Sequence, residues 1–270
     1  MTQYHQYFGV LKSHDSIKKS IKPNGDGKAG IVWHTQGSGK SLSMLMLSSK
    51  LINDKTLNNP TIVVLTDRND LDEQLFNTFT SGIEFLKTTP VKVDSKASLV
   101  EQLSYIKTGG VIFTTIWKFD KENIVPNLRE NIIVISDEAH RSHYGIDEKI
   151  VFVNDENGNR VPISKYGMAK YIRDVLPNAT FIGYTGTPVD TRDKSTTAVF
   201  GDIIDVYDMT QSVIDGSTVP LYYESRNARV WLDETKLKEL DNYYSETERV
   251  GVTEAILEES KRRMSKMELL

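Results

Sequence analysis

The 270-residue sequence contains no cysteine, which excludes disulfide bonds and thiolate metal sites and fits a reducing compartment such as the cytoplasm. Long apolar runs are also missing. No aliphatic run exceeds the four residues of Ile132–Ile135, whereas a membrane-spanning helix needs roughly 18 residues. The first residues are polar and predict no signal peptide. We therefore expect a cytoplasmic protein with no membrane partner.

Neither sign of charge is in large excess. The 33 basic and 37 acidic side chains leave a formal net charge of −4, so the chain lacks the bulk positive charge of many nucleic-acid-binding proteins. Hydrophobic residues make up 39% of the sequence, which is enough for a hydrophobic core and too many for a disordered chain. The length predicts one or two domains.

Short apolar runs alternate with longer amphipathic stretches, which is typical of a parallel sheet with a helix between successive strands. The strand candidates are Gly30–His34, Thr61–Thr66, Val111–Thr115, Asn131–Ser136, Ala179–Thr185, Ile203–Tyr207 and Val219–Tyr223. The helix candidates are Lys40–Asn53, Asp70–Phe79, Ala97–Lys107 and Lys165–Val175. The sequence therefore predicts an α/β domain with a mostly parallel sheet and helices on both faces.

Two segments depart from this alternation. Val151–Val153 and Arg160–Ile163 flank an Asn157-Gly158 pair and predict a short β-hairpin insertion. From about residue 227 the chain is rich in charge and poor in apolar residues, which predicts a helical tail without a core of its own. We place the domain at residues 1–226 and the tail at 227–270.

A glycine-rich loop, Gly37-Ser38-Gly39-Lys40-Ser41, separates a predicted strand from a predicted helix. Glycines let backbone N–H groups converge on phosphate oxygens, and the helix N-terminus adds partial positive charge. In this arrangement Lys40 reaches the β- and γ-phosphates and the Ser41 hydroxyl binds Mg²⁺. The loop predicts a nucleoside triphosphate site, and the alternative is an ordinary glycine-rich turn.

The loop departs from the usual phosphate-binding pattern at one position. In G-x-x-x-x-G-K-[ST] the first glycine would fall at position 34, where this sequence has His34. The core from Gly37 to Ser41 is intact. The departure therefore concerns the path of the chain into the loop rather than the ligand that the loop binds.

A second motif, Asp137-Glu138-Ala139-His140, follows the predicted strand Asn131–Ser136. Ligands of open parallel sheets bind at the carboxyl ends of the strands. Two adjacent carboxylates there repel each other unless a cation is present, so Asp137 is predicted to hold Mg²⁺ and Glu138 to orient and deprotonate the attacking water. His140 is expected to link this site to neighbouring loops by hydrogen bonds. The alternative is an exposed acidic turn.

With Thr185-Gly186-Thr187-Pro188, these motifs occur in the order found in superfamily 2 helicases and translocases, and the sequence resembles their first RecA-like, P-loop NTPase lobe. Longer blocks make it similar to the R (restriction and motor) subunit of type I restriction–modification enzymes. Those blocks are Tyr4–Phe8, Val64–Leu75, Ser136–Ser142, Phe181–Pro188, Val199–Asp202 and Val219–Glu224. The resemblance covers most of residues 3–230.

The resemblance implies roles in nucleotide binding. Gln6 takes the place of a glutamine that reads adenine, since an amide can pair with the donor and acceptor edge of that base. The alternative is an ordinary exposed polar residue. Residues Gln36 to Ser41, with Ser38 among them, take the place of the nucleotide-binding loop, and ATP with Mg²⁺ is the implied cofactor.

The resemblance also implies contacts with the nucleic-acid backbone. Thr66, Asp67 and Arg68 end one predicted strand, and Thr114 and Thr115 end the next. Hydroxyl and guanidinium groups suit phosphate contact. The alternatives are that Asp67 or Asn69 caps the following helix and that Thr114 and Thr115 are satisfied strand residues.

Coupling of the nucleotide state to DNA movement is implied for Thr185, Gly186 and Thr187. The alternative for this segment is a tight turn before Pro188. The implied partners are double-stranded DNA and the methylation and specificity subunits of a restriction–modification complex.

Superfamily 2 motors complete their ATP site with an arginine from a second lobe, which is worth about 10³–10⁵ in rate. We find neither that lobe nor the nuclease of the family in the sequence, so we expect a fragment that binds ATP with little hydrolysis. Two further hypotheses stay open. One is a superfamily 2 DNA or RNA helicase outside restriction, and the other is a nucleotide-dependent DNA-binding scaffold.

Overall fold

The structure is a computed structural model of the chain, and it describes residues 2–66, 69–119, 126–139, 148–154, 160–166, 168–187 and 194–219. The helices are α1 (Tyr4–Ser20), α2 (Lys40–Asn53), α3 (Asn69–Ser81), α4 (Ile83–Leu86), α5 (Lys96–Tyr105), α6 (Met168–Val175), α7 (Lys194–Phe200) and α8 (Met209–Ile214). The strands are β1 (Lys28–His34), β2 (Thr61–Thr66), β3 (Val91–Lys92), β4 (Val111–Thr115), β5 (Ile132–Ser136), β6 (Glu148–Asn154), β7 (Arg160–Tyr166), β8 (Thr180–Thr185) and β9 (Ile203–Tyr207).

Seven strands form one sheet in the order β3-β4-β2-β5-β8-β1-β9. Every pairing in this sheet is parallel. The order places β8 between β5 and β1, so three strands that are distant in sequence end side by side. The β6–β7 hairpin forms a separate antiparallel pair.

The apolar side chains of the central strands alternate between the two faces of the sheet. Val63 and Leu65 pack with residues of α5, α6 and α7 on one face. Ile62 and Val64 pack with residues of α1, α2, α3 and α4 on the other. All six residues of β2 are buried, as expected for a parallel strand covered by helices on both sides.

The predicted α/β class, the parallel sheet and the helices on both faces are confirmed, and so is the hairpin. The bounds of α2, β2, β4 and β9 are those predicted. The helix predicted over Lys165–Val175 is wrong at its start, because β7 continues to Tyr166 and α6 begins at Met168. Cross-strand pairs with β6 extend the hairpin to Tyr166, which overrides the helical pattern of the sequence.

Helix α1 was not predicted from the sequence. Its burial follows a helical period, but most of the inward residues are polar or glycine, so hydrophobic periodicity does not reveal the helix. The inward residues are His5, Gln6, Gly9, Val10, Ser13, His14, Ile17 and Ser20.

Several predictions concern residues outside the described ranges. The Asn157-Gly158 turn, most of the predicted strand Val219–Tyr223 and the whole tail 227–270 belong to this group, and the domain boundary after residue 226 stays a prediction. Within the described ranges, no helix is long and apolar enough to cross a membrane.

Phe113 on β4 holds α3 against the sheet. It is fully buried, and its ring centroid lies 5.2 Å from that of Phe76 and 5.0 Å from that of Phe79, both in edge-to-face geometry. We expect Phe113→Ala to lower the free energy of unfolding by about 3–5 kcal/mol, because the substitution leaves a cavity at this contact. Urea unfolding followed by circular dichroism measures the loss.

Phe85→Ala is the matched control, since Phe85 is 67% exposed. We expect its effect to stay within about 0.5 kcal/mol. Equal losses for the two variants would contradict the packing role of Phe113.

Candidate nucleotide-binding site

The candidate site lies at the edge of the sheet where β1, β5 and β8 end. In the register of the sheet, Trp33 of β1 pairs with Thr185 of β8, and Ser136 of β5 pairs with Gly183 of β8. The glycine-rich loop, the acidic motif and the Thr185–Thr187 segment therefore meet at one edge. This is the edge at which open parallel sheets bind ligands.

The glycine-rich loop takes backbone conformations that glycine favours. Gly39 is the N-cap of α2 with φ 78° and ψ 36°, and Gly37 has φ 81°. Among the described residues, no backbone hydrogen bond engages the N–H groups of Gly37, Gly39, Lys40 and Ser41. Since a helix leaves its first N–H groups unpaired, the loop presents a row of donors, and such a row suits an anion.

Space and polar groups at the loop fit a phosphate ligand. A Cβ atom built on Gly37 would meet no atom within 4 Å, so the loop is open on that side. The buried hydroxyl of Ser38 has no hydrogen-bond partner among the described residues. Residues Gln36 and Gly37 are exposed, whereas Ser38 is buried.

The Lys40 side chain turns back across the loop. Its Nζ donates to the carbonyl oxygen of His34 at 3.2 Å and to that of Thr35 at 3.4 Å. Burial lowers the pKa of Lys40, and the charges of Glu138 and Asp137 oppose that shift. A bound anion would offset the desolvation of the ammonium group.

The acidic motif forms a turn held by two strands. The Asp137 N–H donates to the Leu65 carbonyl at 2.9 Å, and the Ala139 N–H donates to the Tyr184 carbonyl at 3.0 Å. Between them, Glu138 has φ 51°, which non-glycine residues rarely adopt and which concentrates at functional sites. Asp137 Oδ1 accepts the Glu138 N–H at 2.9 Å. The Glu138 and Asp137 carboxylates are close enough to the Lys40 ammonium group to interact with its charge.

The Thr185–Thr187 segment is a turn that touches the glycine-rich loop. Thr185 Oγ1 accepts the Thr187 N–H at 3.1 Å and its hydroxyl donates to the Thr187 carbonyl at 3.2 Å. A Cβ atom on Gly186 would lie 2.9 Å from Lys40 Nζ and 3.5 Å from the Gln36 nitrogen. Any larger residue at position 186 would therefore displace the lysine.

Helix α1 contributes residues that hold the loop. The Gln6 amide donates to the carbonyl oxygens of Ser38 and Gly39 at 3.1 and 3.3 Å, and Gln6 Oε1 accepts the Gln3 N–H at 3.0 Å. Gln6 is buried at 5% exposure, so it is not the exposed polar residue of the alternative. Its role in reading adenine stays a prediction.

His5 is a site residue that sequence reasoning missed. Its Nε2 lies 3.0 Å from the Ser38 carbonyl oxygen, and its ring stacks on Tyr207 at 3.7 Å between centroids. The signal in the sequence was its place beside Gln6 in the Tyr4–Phe8 block. Nothing in that block connects it to Tyr207, which lies on β9.

The residues at this edge fit Mg²⁺ only together with a phosphate ligand. Among the described residues, no group of three or more His, Cys, Asp and Glu side chains could hold a metal ion. Ser41 and Asp137 offer oxygen ligands from the loop and the acidic turn. Mg²⁺ is commonly bound by one or two protein oxygens, water and the substrate's phosphates.

The threonines predicted to contact nucleic acid end two neighbouring strands. Thr66 of β2 pairs with Thr115 of β4, and Leu65 pairs with Thr114. Thr66, Thr114 and Thr115 are 2%, 1% and 4% exposed. These threonines are buried, as in the alternative given for Thr114 and Thr115, so direct contact with a phosphate would require them to become accessible.

Three other predicted site residues lie outside the described ranges: Asp67, Arg68 and His140. Their roles in nucleic-acid contact and coupling stay predictions.

The chain is similar in sequence to a known protein family and to individual proteins. Residues 5–254 match the family model for "SWI2/SNF2 ATPase". The "Type I restriction enzyme HindI endonuclease subunit" of Haemophilus influenzae is 50% identical over 226 residues, which is 82% of this chain and 21% of that protein. The "Type I restriction enzyme SauMSSORF170P endonuclease subunit" of Staphylococcus aureus (strain MSSA476) is 31% identical over 199 residues, or 72% of this chain and 19% of that protein.

Among solved structures, the "ATP-dependent Type ISP restriction-modification enzyme LlaBIII bound to DNA" is similar with a TM-score of 0.53 and 15% identity. The similarity covers 80% of this chain and 16% of that one, and at this identity it shows the fold alone. The chain spans about a fifth of the length of the curated relatives it matches. The match over residues 5–254 confirms the resemblance, and the chain belongs to the SWI2/SNF2 ATPase family, as a segment related to the endonuclease (R) subunits of type I restriction enzymes.

Proposed function

We propose that this chain is the ATP-binding motor lobe of a type I restriction R subunit. In the complete subunit, hydrolysis of Mg-ATP at this lobe drives translocation along double-stranded DNA before cleavage. The observation that carries the proposal is the position of Lys40, whose ammonium group lies in the glycine-rich loop, beside Gly186 and near the Asp137 and Glu138 carboxylates. A half-buried cation among loop N–H donors and carboxylates suits a phosphate chain with its metal ion.

Each residue of the site has a distinct task in this proposal. The loop N–H groups and Lys40 bind the β- and γ-phosphates, and Ser41 with Asp137 holds Mg²⁺, which neutralises charge on the phosphates when bound. Glu138 orients the attacking water and accepts its proton. Gln6 reads the adenine base, for which its amide would exchange the Ser38 and Gly39 carbonyls for the base edge.

The residues proposed to couple the nucleotide state to DNA movement lie at the same edge of the sheet. Gly186 lies against both Lys40 and Gln36, so a change at the phosphates has a direct path to the Thr185–Thr187 turn. Thr66, Asp67 and Arg68, with Thr114 and Thr115, are the proposed DNA contacts, and His140 joins them to the nucleotide site. The three threonines are buried, so the proposal requires them to become accessible when DNA binds. The proposal also includes methylation and specificity subunits as partners of the complete R subunit. It places the protein in the cytoplasm.

The Lys40→Ala variant tests nucleotide binding. We expect its affinity for ATP with Mg²⁺ to fall by about tenfold to 100-fold, since a hydrogen bond to a charged group contributes about 1.5–3 kcal/mol. Isothermal titration calorimetry on the 270-residue chain measures the dissociation constant. Lys50→Ala, at the exposed end of the same helix, is the control and should bind as the unaltered chain does. Unchanged affinity in Lys40→Ala would remove the lysine from the site.

The Glu138→Gln variant separates binding from hydrolysis. Gln keeps the size of the side chain but cannot accept the proton of water, so we expect ATP binding to persist while DNA-stimulated hydrolysis falls by about 10²–10⁴-fold. The assay uses an R subunit that carries this segment, with duplex DNA and its partner subunits. Glu101→Gln, at an exposed position of α5, is the control and should leave turnover unchanged.

Wild-type turnover in the Glu138→Gln variant would exclude Glu138 as the base. Separation of strands without movement along intact duplex would favour the helicase hypothesis. ATP-dependent DNA binding without any turnover in the assembled enzyme would favour the scaffold hypothesis.

A further inference from the structure

The histidine at position 34 stands where the usual phosphate loop has glycine, and its side chain leaves the loop. In the parallel pairing of β1 with β9, His34 is opposite Tyr207, and Val32 is opposite Asp205. Because alternate residues of a strand face the same side, Asp205 and Tyr207 share a face with His34. The His34 side chain is fully buried on that face.

His34 forms a buried pair with Asp205. Its Nε2 lies 2.6 Å from Asp205 Oδ2, and Lys12 Nζ of α1 lies 2.7 Å from Asp205 Oδ1. Burial raises the pKa of Asp205, but hydrogen bonds from His34 and Lys12 outweigh burial and hold that pKa below its usual value. An ionised carboxylate only accepts hydrogen bonds, so this contact requires the His34 tautomer that carries its proton on Nε2.

Helix α1 makes room for this pair. A Cβ atom on Gly9 would lie 2.9 Å from His34 Cε1 and 3.0 Å from Asp205 Oδ2. The helix covers the His34–Asp205 pair at Gly9, where it lies close to both side chains. One turn later, Lys12 donates to Asp205. Three elements, α1, β1 and β9, therefore meet at the single carboxylate of Asp205.

The main chain of His34 holds the phosphate-binding lysine. The His34 and Thr35 carbonyl oxygens accept hydrogen bonds from Lys40 Nζ. On the other side, the Thr35 N–H donates to the Tyr207 carbonyl at 2.8 Å. The direction of the two carbonyls thus depends on β9, to which the His34 side chain is fixed through Asp205.

We propose that His34 and Asp205 are positioning residues for the triphosphate. Their buried pair fixes the start of the glycine-rich loop to β9 and α1, and it thereby holds the two carbonyls that place the Lys40 ammonium group. On this proposal, which rests on the proposed nucleotide site, His34 is required in this chain, and the glycine of the usual motif is not its equivalent.

The chain contains a second pair of the same chemistry, which provides a matched control. His14 Nε2 lies 2.9 Å from Asp54 Oδ2, and Lys18 Nζ lies 3.2 Å from the same oxygen. His14 and Lys18 also belong to α1, and Asp54 follows the last turn of α2. This pair fixes the same helix at the end of α2 that is remote from the loop.

The test compares three variants of the full 270-residue chain: His34→Gly, His34→Gln and His14→Gly. We expect His34→Gly to bind ATP with Mg²⁺ about tenfold more weakly, because the start of the loop loses its hydrogen bond to the charged Asp205 and the carbonyls that place Lys40 are no longer held. His34→Gln should recover binding to within about threefold of the unaltered chain, since its amide can donate to Asp205. His14→Gly should lower the melting temperature while its ATP affinity stays within about twofold. Calorimetric titration with ATP and thermal unfolding give both quantities.

Two results would overturn the proposal. In one, His34→Gly binds ATP as tightly as the unaltered chain, which would make the histidine a neutral replacement for glycine. In the other, His14→Gly weakens ATP binding as much as His34→Gly, which would make the effect a general loss of stability.

If His34→Gly does not fold, the Asp205→Asn variant tests the same proposal. It preserves the shape of the side chain and removes its charge, so it should weaken ATP binding by about threefold to tenfold, and unchanged affinity would count against the proposal. Failure of the proposed function is distinct, because then the unaltered chain would not bind ATP at all. If Lys40→Ala loses affinity and the His34 and Asp205 variants do not, only the positioning role fails.

Discussion

The parallel pairing of β8 with β5 on one side and β1 on the other is the constraint on which the site depends. Backbone hydrogen bonds fix the register of these strands, so the residues that follow each strand reach the same edge of the sheet. A slip of one residue would turn every side chain of a strand to the opposite face. The glycine-rich loop, the acidic turn and the Thr185–Thr187 turn keep their mutual positions because both faces of the sheet pack against helices, so a slip would disrupt close packing on each face.

A second layer of control comes from buried polar contacts around α1. His5 and Gln6 contact loop carbonyls directly, whereas Lys12 reaches the loop through Asp205. Buried polar groups are costly when a partner is missing, and Nδ1 of both His5 and His34 has no hydrogen-bond partner among the described residues. The contacts made by the Nε2 atoms of these histidines and by the Gln6 amide nevertheless connect the helix to the loop and to β9. The helix therefore supports the loop backbone in addition to covering the sheet with Val10 and Ile17.

The net charge of this protein says little about its candidate site, whereas the charges at the site itself are informative. A net charge of −4 describes the whole chain, yet the site places an ammonium group, loop N–H donors and two carboxylates within one edge of the sheet. The strand-end threonines Thr66, Thr114 and Thr115 at the neighbouring part of this edge are buried.

Short-range patterns in the sequence predicted β2, β4, β9, the α2 helix and the glycine-rich loop, because each depends on neighbours within a few residues: apolar runs for β2 and β4, and glycine conformations for Gly37 and Gly39. The short strand β3 was not predicted. The acidic turn after β5 was predictable for the same reason. The helix α1 was not, since its inward face is largely polar and gains its partners only from other elements.

The same limit applies to His34. The sequence showed that a glycine was replaced there, but the partners of the histidine are Asp205 on β9 and Gly9 on α1, which are distant along the chain. Only the tertiary structure decided that contact. Pairing of β1 with β9 and packing of α1 across them are long-range events, and no local pattern encodes which buried carboxylate a buried imidazole will meet.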